Sequence, residues 1–427
     1  MNTKQLYESI VGGKLNSVLS ALYGEENIDT QQARYLKALS EFETLYGVRE
    51  DASIYSVPGR SELSGNHTDH NHGCVIAASI DLDIIAIAAK TDDTLIRVKS
   101  EGFSEDAVDF IAYAEPDATH FGTSASIIAG MCRGFLDNGH KIGGFCAYTT
   151  SNVLKGSGLS SSAAFEDMIG NILNHIYNDG TVDNVEIAKL SQYAENVFFG
   201  KPCGLMDQVA CAFGGIVAID FADTAIPVID KLNFDITGAG YTLCIVNTGG
   251  NHADLTDDYA SIPVEMKKVA TELGRSCLRE LKKEDVIANA AKLRKTCGDR
   301  AVLRSLHFFD ENNRVAAQKK ALVNGDLDAF FDGVKASGRS SFCYLQNVYT
   351  TKNVEEQGLS LALCVAESFL SEKKAAWRVH GGGFAGTIQS FVPVENAEEF
   401  RALMDSVFGN GACIILRIRN EGAIRLL

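Results

Sequence analysis

Apolar residues recur at helical spacing twice near the start of the chain. Leu15, Val18, Leu19 and Leu22 form one stripe, and Leu36, Leu39, Phe42 and Leu45 form a second. Polar, glycine-containing breaks at Gly12-Gly13 and Gly24-Glu25 divide residues 3–46 into helices that carry no obvious chemical group. The pattern then turns to β. Residues 54–57 predict a short strand ended by Pro58-Gly59, and 75–80 and 84–88 predict two apolar strands. A helix over 124–138 carries Ile127, Ile128, Met131 and Phe135 on one face, and a strand follows over 144–150. Ile169, Ile172, Leu173 and Ile176 place a helix directly after the serines at 160–162. Asp183, with Glu186 three residues on, opens another, whose buried face is Ile187, Leu190, Ala194 and Val197. An apolar helix over 209–213 and strands over 216–219 and 243–247 follow. The chain is mostly helical from about residue 254, with stripes over 322–331 and 359–370. It closes with strands at 377–380, 387–392 and 413–418 around a helix at 397–407. A helix-rich middle followed by alternating β and α elements reads as a second α+β domain. The change of pattern puts the boundary near residue 225, giving domains 1–225 and 226–427.

Composition narrows the functional classes. With 427 residues, 46% hydrophobic and 22% charged, the chain has the make-up of an ordinary globular protein. A net charge of −16 argues against nucleic acid or an anionic membrane as partner, while a local loop can still hold a small anion. Eleven cysteines lie without metal-ligand spacing, as in a reducing cytosol. The N-terminus lacks a signal-peptide pattern, and no run reaches the roughly 20 apolar residues of a membrane span, so a cytoplasmic protein is expected.

Two stretches concentrate the chemistry. Leu154 to Ala164 sets Gly156, Ser157, Gly158 and Leu159 before Ser160, Ser161 and Ser162, between a strand and a helix. A turn opening its N–H groups at a helix N-terminus suits phosphate, although it lacks the Lys-Ser/Thr ending of a Walker loop. A serine-capped helix after a flexible turn is the plainer reading. The second stretch, Gly59 to Gly73, crowds Arg60, Glu62, Asn66, His67, Asp69, His70, Asn71 and His72 into fifteen positions. It reads as a metal site, a solvated loop or, best, a sugar-binding loop, since vicinal hydroxyls need paired donors and acceptors. Asp207, at the start of a helix, reads as a cap, and Glu195 as a solvated glutamate.

Taken together these motifs resemble the galactokinases of the GHMP small-molecule kinase family. Gly59-Arg60, then Gly65, His67-Thr68-Asp69 and Asn71, are similar to the galactokinase signature, and Gly158 to Ala163 to the family's ATP loop. Cys203 to Gln208 is similar to the segment bearing a catalytic aspartate, and Gly381 to Gly386 to the third motif. The resemblance begins near Phe42. It implies a two-domain α+β GHMP kinase fold, with an N-terminal domain like one domain of a ribosomal protein and a ferredoxin-like C-terminal domain. It implies ATP-dependent phosphorylation of an aldose's anomeric hydroxyl with Mg²⁺, a small-molecule sugar and ATP being the partners. By motif position Asp207 and Arg60 would be catalytic, and Ser162 and Glu195 would hold Mg²⁺. Gly156, Ser157, Gly158, Leu159, Ser160, Ser161 and Ser162 would bind ATP. Glu62, Asn66, His67, Asp69, Gly204 and Tyr259 would bind the sugar.

The chain departs from the family at the sugar signature. The family carries Asn at the position of Glu62, Glu at the position of Asn66, and Tyr at that of His70. The family Glu is expected to bind the sugar's 6-hydroxyl. No new Arg or Lys appears in this loop to hold a uronate, so galactose is expected as substrate, with Glu62 or Asn66 making that contact. L-Arabinose or galacturonate, or a non-catalytic sugar sensor, are the alternatives. Tyr259 reads equally as a half-buried helix residue, and His380 as a structural histidine beneath a turn.

Overall fold

The computed structural model describes residues 1–154, 158–249 and 255–427. Three helices come first: α1 (Thr3–Val11), α2 (Asn16–Tyr23) and α3 (Ile28–Tyr46). Asn2 caps α1, accepting from the Gln5 N–H while the Gln5 side chain accepts from the Asn2 N–H. Then come β1 (Ser53–Ser64), β2 (Cys74–Lys90), β3 (Leu95–Ser100), β4 (Glu105–Asp109), α4 (Ser124–Asp137), β5 (Phe145–Ser151) and α5 (Ser161–Tyr177). The first half continues with α6 (Asn184–Tyr193), α7 (Met206–Phe213), β6 (Ile216–Asp220) and β7 (Val228–Leu232). The rest comprises β8 (Tyr241–Asn247), α8 (Thr256–Glu272), α9 (Lys283–Ala288), α10 (Ala290–Thr296), α11 (Asp299–Val323), α12 (Leu327–Ser340) and α13 (Gly358–Leu370). It ends with β9 (Ala376–Val379), β10 (Thr387–Pro393), α14 (Ala397–Phe408), β11 (Cys413–Leu416) and β12 (Ile424–Arg425).

Among the described residues eight strands form one sheet in the order β12-β1-β2-β5-β3-β4, with β6 beside the start of β2 and β7 beyond it. Four more form an antiparallel sheet, β11-β8-β10-β9. Two sequence expectations give way here. The strand expected to stop at Pro58 runs on to Ser64, and the two strands expected at 75–80 and 84–88 are one. Proline has no N–H for the ladder, and the register between β1 and β2 slips between Pro58 and Arg60, so a bulge absorbs it. Arg60 and Glu62 are thereby strand residues.

The alternation along β2 sets the layers. In its second half Ile84, Ala86 and Ala88 face the core made with α4 and α5, while Ile85, Ile87 and Ala89 face Leu19, Tyr35 and Phe42 of the N-terminal helices. In its first half Val75 and Ala77 pack on Val209 of α7, while Ile76, Ala78 and Ile80 meet Val315, Phe391 and Leu416 of the second half of the chain. Both faces are covered throughout, which is why the strand reads as a near-continuous apolar run.

One charge interrupts this spine. Asp83 is fully buried and accepts from Arg34 (2.7 Å), Arg419 (3.2 Å), Tyr23 (2.5 Å) and Ser56. Burial disfavours its charge, but Arg34 and Arg419 prevail and hold its carboxyl below the usual range. The cluster ties α2 and α3, the sheet and the C-terminal segment together. Asp83→Ala would leave two guanidiniums unmatched, one fully buried, and is expected to cost about 3–5 kcal/mol in urea unfolding. A loss below about 1 kcal/mol, the scale of a surface pair, would show the cluster to be incidental.

Candidate active site

Residues two apart on a strand point to the same face, so β1 presents Arg60 and Glu62 together. Arg60 is only 7% exposed. Its Nε and Nη2 lie 2.7 and 2.6 Å from Asp207 Oδ1, and its Nη1 donates to the Gly158 carbonyl. Asp207 sits in the first turn of α7, and its Oδ2 accepts the hydroxyl of Ser160. Ser160 adopts a left-handed backbone (φ 59°) immediately before α5. The sugar-like signature, the serine loop and the aspartate segment thus meet at one guanidinium. Burial works against the Asp207 charge, yet Arg60 and Ser160 keep its carboxyl below the usual range.

This junction opens on a cavity of about 470 Å³. Glu62, His67, Asp69, Gly204 and Tyr259 line it, with Gly381 to Gly383 on the facing loop. The His67 ring lies 5.1 Å from that of Tyr259, and its Nε2 lies 2.9 Å from the Gly382 carbonyl. Burial pushes the imidazole down to about 4, so the neutral ring donates that proton to the carbonyl. Two glycines make the walls possible. A Cβ on Gly382 would stand 2.4 Å from the Tyr259 ring, and one on Gly204 would stand 2.4 Å from Asp69 Oδ2.

On the other side of Asp207, Ser162 lies in the first turn of α5 and donates weakly to Glu195 Oε1 at 3.5 Å. Glu195 belongs to a π-helical turn, Ala194–Phe199, and is 2% exposed, not a solvated glutamate. Gln208 Nε2 bridges it to Glu166, at 3.1 and 3.0 Å. Burial and the Glu195 charge together push the Glu166 carboxyl well up. A hydroxyl and a carboxylate oxygen side by side at a helix N-terminus are donors that suit a hard cation such as Mg²⁺.

Asn66, expected as a sugar ligand, does not line the cavity. Its amide is fully engaged inside the protein. Nδ2 donates to Glu62 (3.2 Å) and to the Gly381 carbonyl (2.7 Å), and Oδ1 accepts from Ser341 (3.1 Å) and Asn347 (2.8 Å). Glu62 remains on the cavity wall and pairs with the fully buried Arg378. Burial raises its carboxyl, with Arg378 and Arg60 opposing. The side chain of Leu159 packs into the core, leaving only its backbone for a ligand. Gly156 and Ser157 lie outside the described residues. His380 is buried between Ser61 (3.1 Å) and Thr387 (2.9 Å), as a structural histidine. His70 lines the rim, 3.4 Å from the Tyr259 hydroxyl. No group of three or more His, Cys, Asp or Glu side chains that could hold a metal ion occurs among the described residues.

Sequence reasoning missed the groups behind the wall. Glu311 of α11 accepts from the Gly65 and Asn66 N–H groups (both 3.2 Å) and from Ser337 (2.6 Å), and His307 Nε2 meets the Asn66 carbonyl at 3.0 Å. Their helix carries no motif, so no local signal marks them.

Residues 40–90 match the galactokinase galactose-binding signature and 126–215 the GHMP kinases N terminal domain. The galactokinase of Enterococcus faecalis is 30% identical over 373 residues, 85% of this chain and 91% of that protein. That of Actinobacillus pleuropneumoniae is 31% identical over 365 residues, 83% and 88%. The chain belongs to the galactokinase family. The solved Lactococcus lactis galactokinase complexed with galactose superposes on this member with a TM-score of 0.77 at 25% identity, covering 91% of this chain and 99% of the other. A mevalonate kinase shares the fold, with a TM-score of 0.61 at 16% identity. The two-domain GHMP kinase architecture of the family is therefore that of this chain.

The Glu311 clamp has a pH signature. Burial raises this carboxyl, but His307, Arg314 and Arg378 bring it from 4.5 to about 2. A depressed carboxyl stabilises the fold fully above its unfolded value, and that share is lost as pH falls toward the folded one. Glu311→Gln should therefore flatten the fall in stability between about pH 4.5 and pH 2 in acid unfolding curves. An unchanged slope would place the group outside that transition.

Proposed function

We propose that the protein is a galactose 1-kinase. The γ-phosphoryl of ATP passes to the anomeric hydroxyl oxygen, the bond from the γ-phosphorus to the β,γ-bridging oxygen breaks, and ADP and galactose 1-phosphate leave. The observation that carries this reading is the Arg60–Asp207–Ser160 junction, where the signature strand and the serine loop meet at one ionised carboxylate. Phosphoryl transfer asks a protein mainly for positioning and for cancelling charge on the transferred group. Asp207 accepts a hydrogen bond from the attacking hydroxyl, orients it and takes its proton as the new P–O bond completes, releasing that proton to solvent afterwards. A carboxylate held below its usual range is a weak base, which suits a loose transition state in which the proton leaves late. Arg60 keeps Asp207 ionised and offers positive charge to the incoming phosphoryl.

On the donor side, Gly158 to Ser162 and the N-terminus of α5 supply N–H groups to the phosphates, with the nearby Gly156 and Ser157 assigned to the same loop. Ser162 and Glu195 are the pair that would hold Mg²⁺, which when bound neutralises phosphate charge. On the acceptor side, His67, Asp69, the backbone at Gly204 and Tyr259 surround the sugar, and Glu62 takes the hydroxyl at its far end. Strand spacing supports that last role. Residues two apart on β1 point to one face, so Glu62 stands on the same cavity-lining side of the strand as Arg60. Galacturonate fits worse, since its carboxylate would face the Glu62 carboxylate, whose paired cation, Arg378, is already engaged.

Two measurements test this. Among galactose, L-arabinose and galacturonate, galactose should show the highest kcat/KM in ATP-dependent phosphorylation; a higher value for either other sugar overturns the choice of acceptor. Asp207→Asn should lose about 10²–10⁴ in kcat while ATP still binds, as expected for a lost proton acceptor. Wild-type-like turnover would remove Asp207 from the mechanism.

A further inference from the structure

Lys201 precedes the aspartate segment and has no role in the reading above. Its ammonium lies 2.9 Å from Glu195 Oε1, the oxygen that also faces Ser162. Its N–H donates to the Glu195 carbonyl at 3.1 Å, and Pro202 after it restricts its backbone to extended conformations. The residue is therefore fixed at its root, while its side chain is 62% exposed, against 3% for that of Glu195.

The charges of the cavity make this position unusual. Its described lining contains the carboxylates of Glu62, Asp69, Glu195 and Asp207 but only two permanent cations, Arg60 and Lys201. Arg60 is immobilised between Asp207 and the Gly158 carbonyl. Glu62 is matched from behind by Arg378. Lys201 is the cation among these lining residues with a flexible stem and room to move. We propose that Lys201 is a phosphate-binding residue of the nucleotide site, whose ammonium holds the Glu195 charge when no nucleotide is bound and transfers to the phosphates when nucleotide and its metal arrive. The proposal rests on reading this as a nucleotide site.

The exchange follows from electrostatics. A buried carboxylate needs a counter-charge, and Lys201 supplies one. A divalent cation at the same oxygen repels the ammonium. A four-carbon stem can carry the freed charge a few ångströms, and a bound phosphate would offer it a new anion, with which an ammonium forms a strong charge-assisted hydrogen bond. The same side chain thus matches the Glu195 charge in the empty site and then reads the ligand that fills it.

Calorimetry of ATP binding with excess Mg²⁺, on the whole chain, tests this directly. Lys201→Met should raise the Kd of ATP at least tenfold, or 1.4 kcal/mol. The Kd of galactose should stay within twofold, and Lys201→Arg should keep ATP binding within threefold of wild type. A rise of less than tenfold in Lys201→Met overturns the proposal even if thermal stability falls, because then the lysine serves only Glu195. Lys201→Gln, judged by the same threshold, substitutes if the methionine variant does not fold. Unaltered ATP binding in a variant of an active kinase refutes the lysine alone. A wild type that binds ATP but phosphorylates no sugar refutes the proposed activity, and the lysine is still judged by the ATP Kd.

Discussion

A buried guanidinium cannot stay unmatched in a protein interior, and the site depends on how this chain meets that constraint. Arg60 comes from β1, and its carboxylate partner lies 147 residues further on, at the head of α7. Neutralising one charge with the other closes a large loop of chain and pins the serine segment between them through Ser160 and the Gly158 carbonyl. The pairing holds Oδ1 of Asp207 on Arg60, while Ser160 holds Oδ2, and it keeps the carboxylate charged. Position and protonation state are settled by the same contact, so the strand, the loop and the helix cannot be adjusted independently.

The traded residues at 62 and 66 make sense within that frame. A glutamate on the strand keeps its carboxylate on the cavity side and gives Arg378 its counter-charge. An amide at the turn can donate twice and accept twice, and Asn66 does all four, joining β1 to Ser341, Asn347 and the triple-glycine loop. A carboxylate there could not donate to the Gly381 carbonyl. The wall carrying the sugar signature is thus braced from behind by α11 and α12, elements of the second half of the chain, whereas Ser160, Ser162, Glu195 and Asp207 on the other side all come from the first.

Much of this was legible from periodicity and motif order. The breaks at Gly12-Gly13 and Gly24-Glu25 divide the N-terminal helices as observed, and the stripes at 124–138 and 397–407 fall on α4 and α14. The strand at 54–64 was not legible past Pro58, because a bulge is a property of pairing with β2 and leaves no trace in one strand alone. The same limit hid Glu311, His307 and Arg378. Each is a polar residue on an otherwise ordinary element, and its meaning comes from a partner hundreds of positions away, as with Arg378 and Glu62. Glu195 reads as solvated because a glutamate near the edge of a helix face is usually exposed, whereas here it is buried within the π-helical turn at 194–199.

The return of the C-terminal segment to the first sheet has a consequence for how the protein is made. Leu426 N–H bonds to the Ile54 carbonyl (2.8 Å), Ile424 pairs opposite Ser56, and Arg419 reaches Asp83 at the centre of the spine. During synthesis the first 240 or so residues leave the ribosome with the edge of β1 bare and Asp83 lacking one of its two guanidiniums. The amino-terminal half can collapse early, but its final packing has to wait for the last dozen or so residues to emerge. Until then an open strand edge is available for wrong partners.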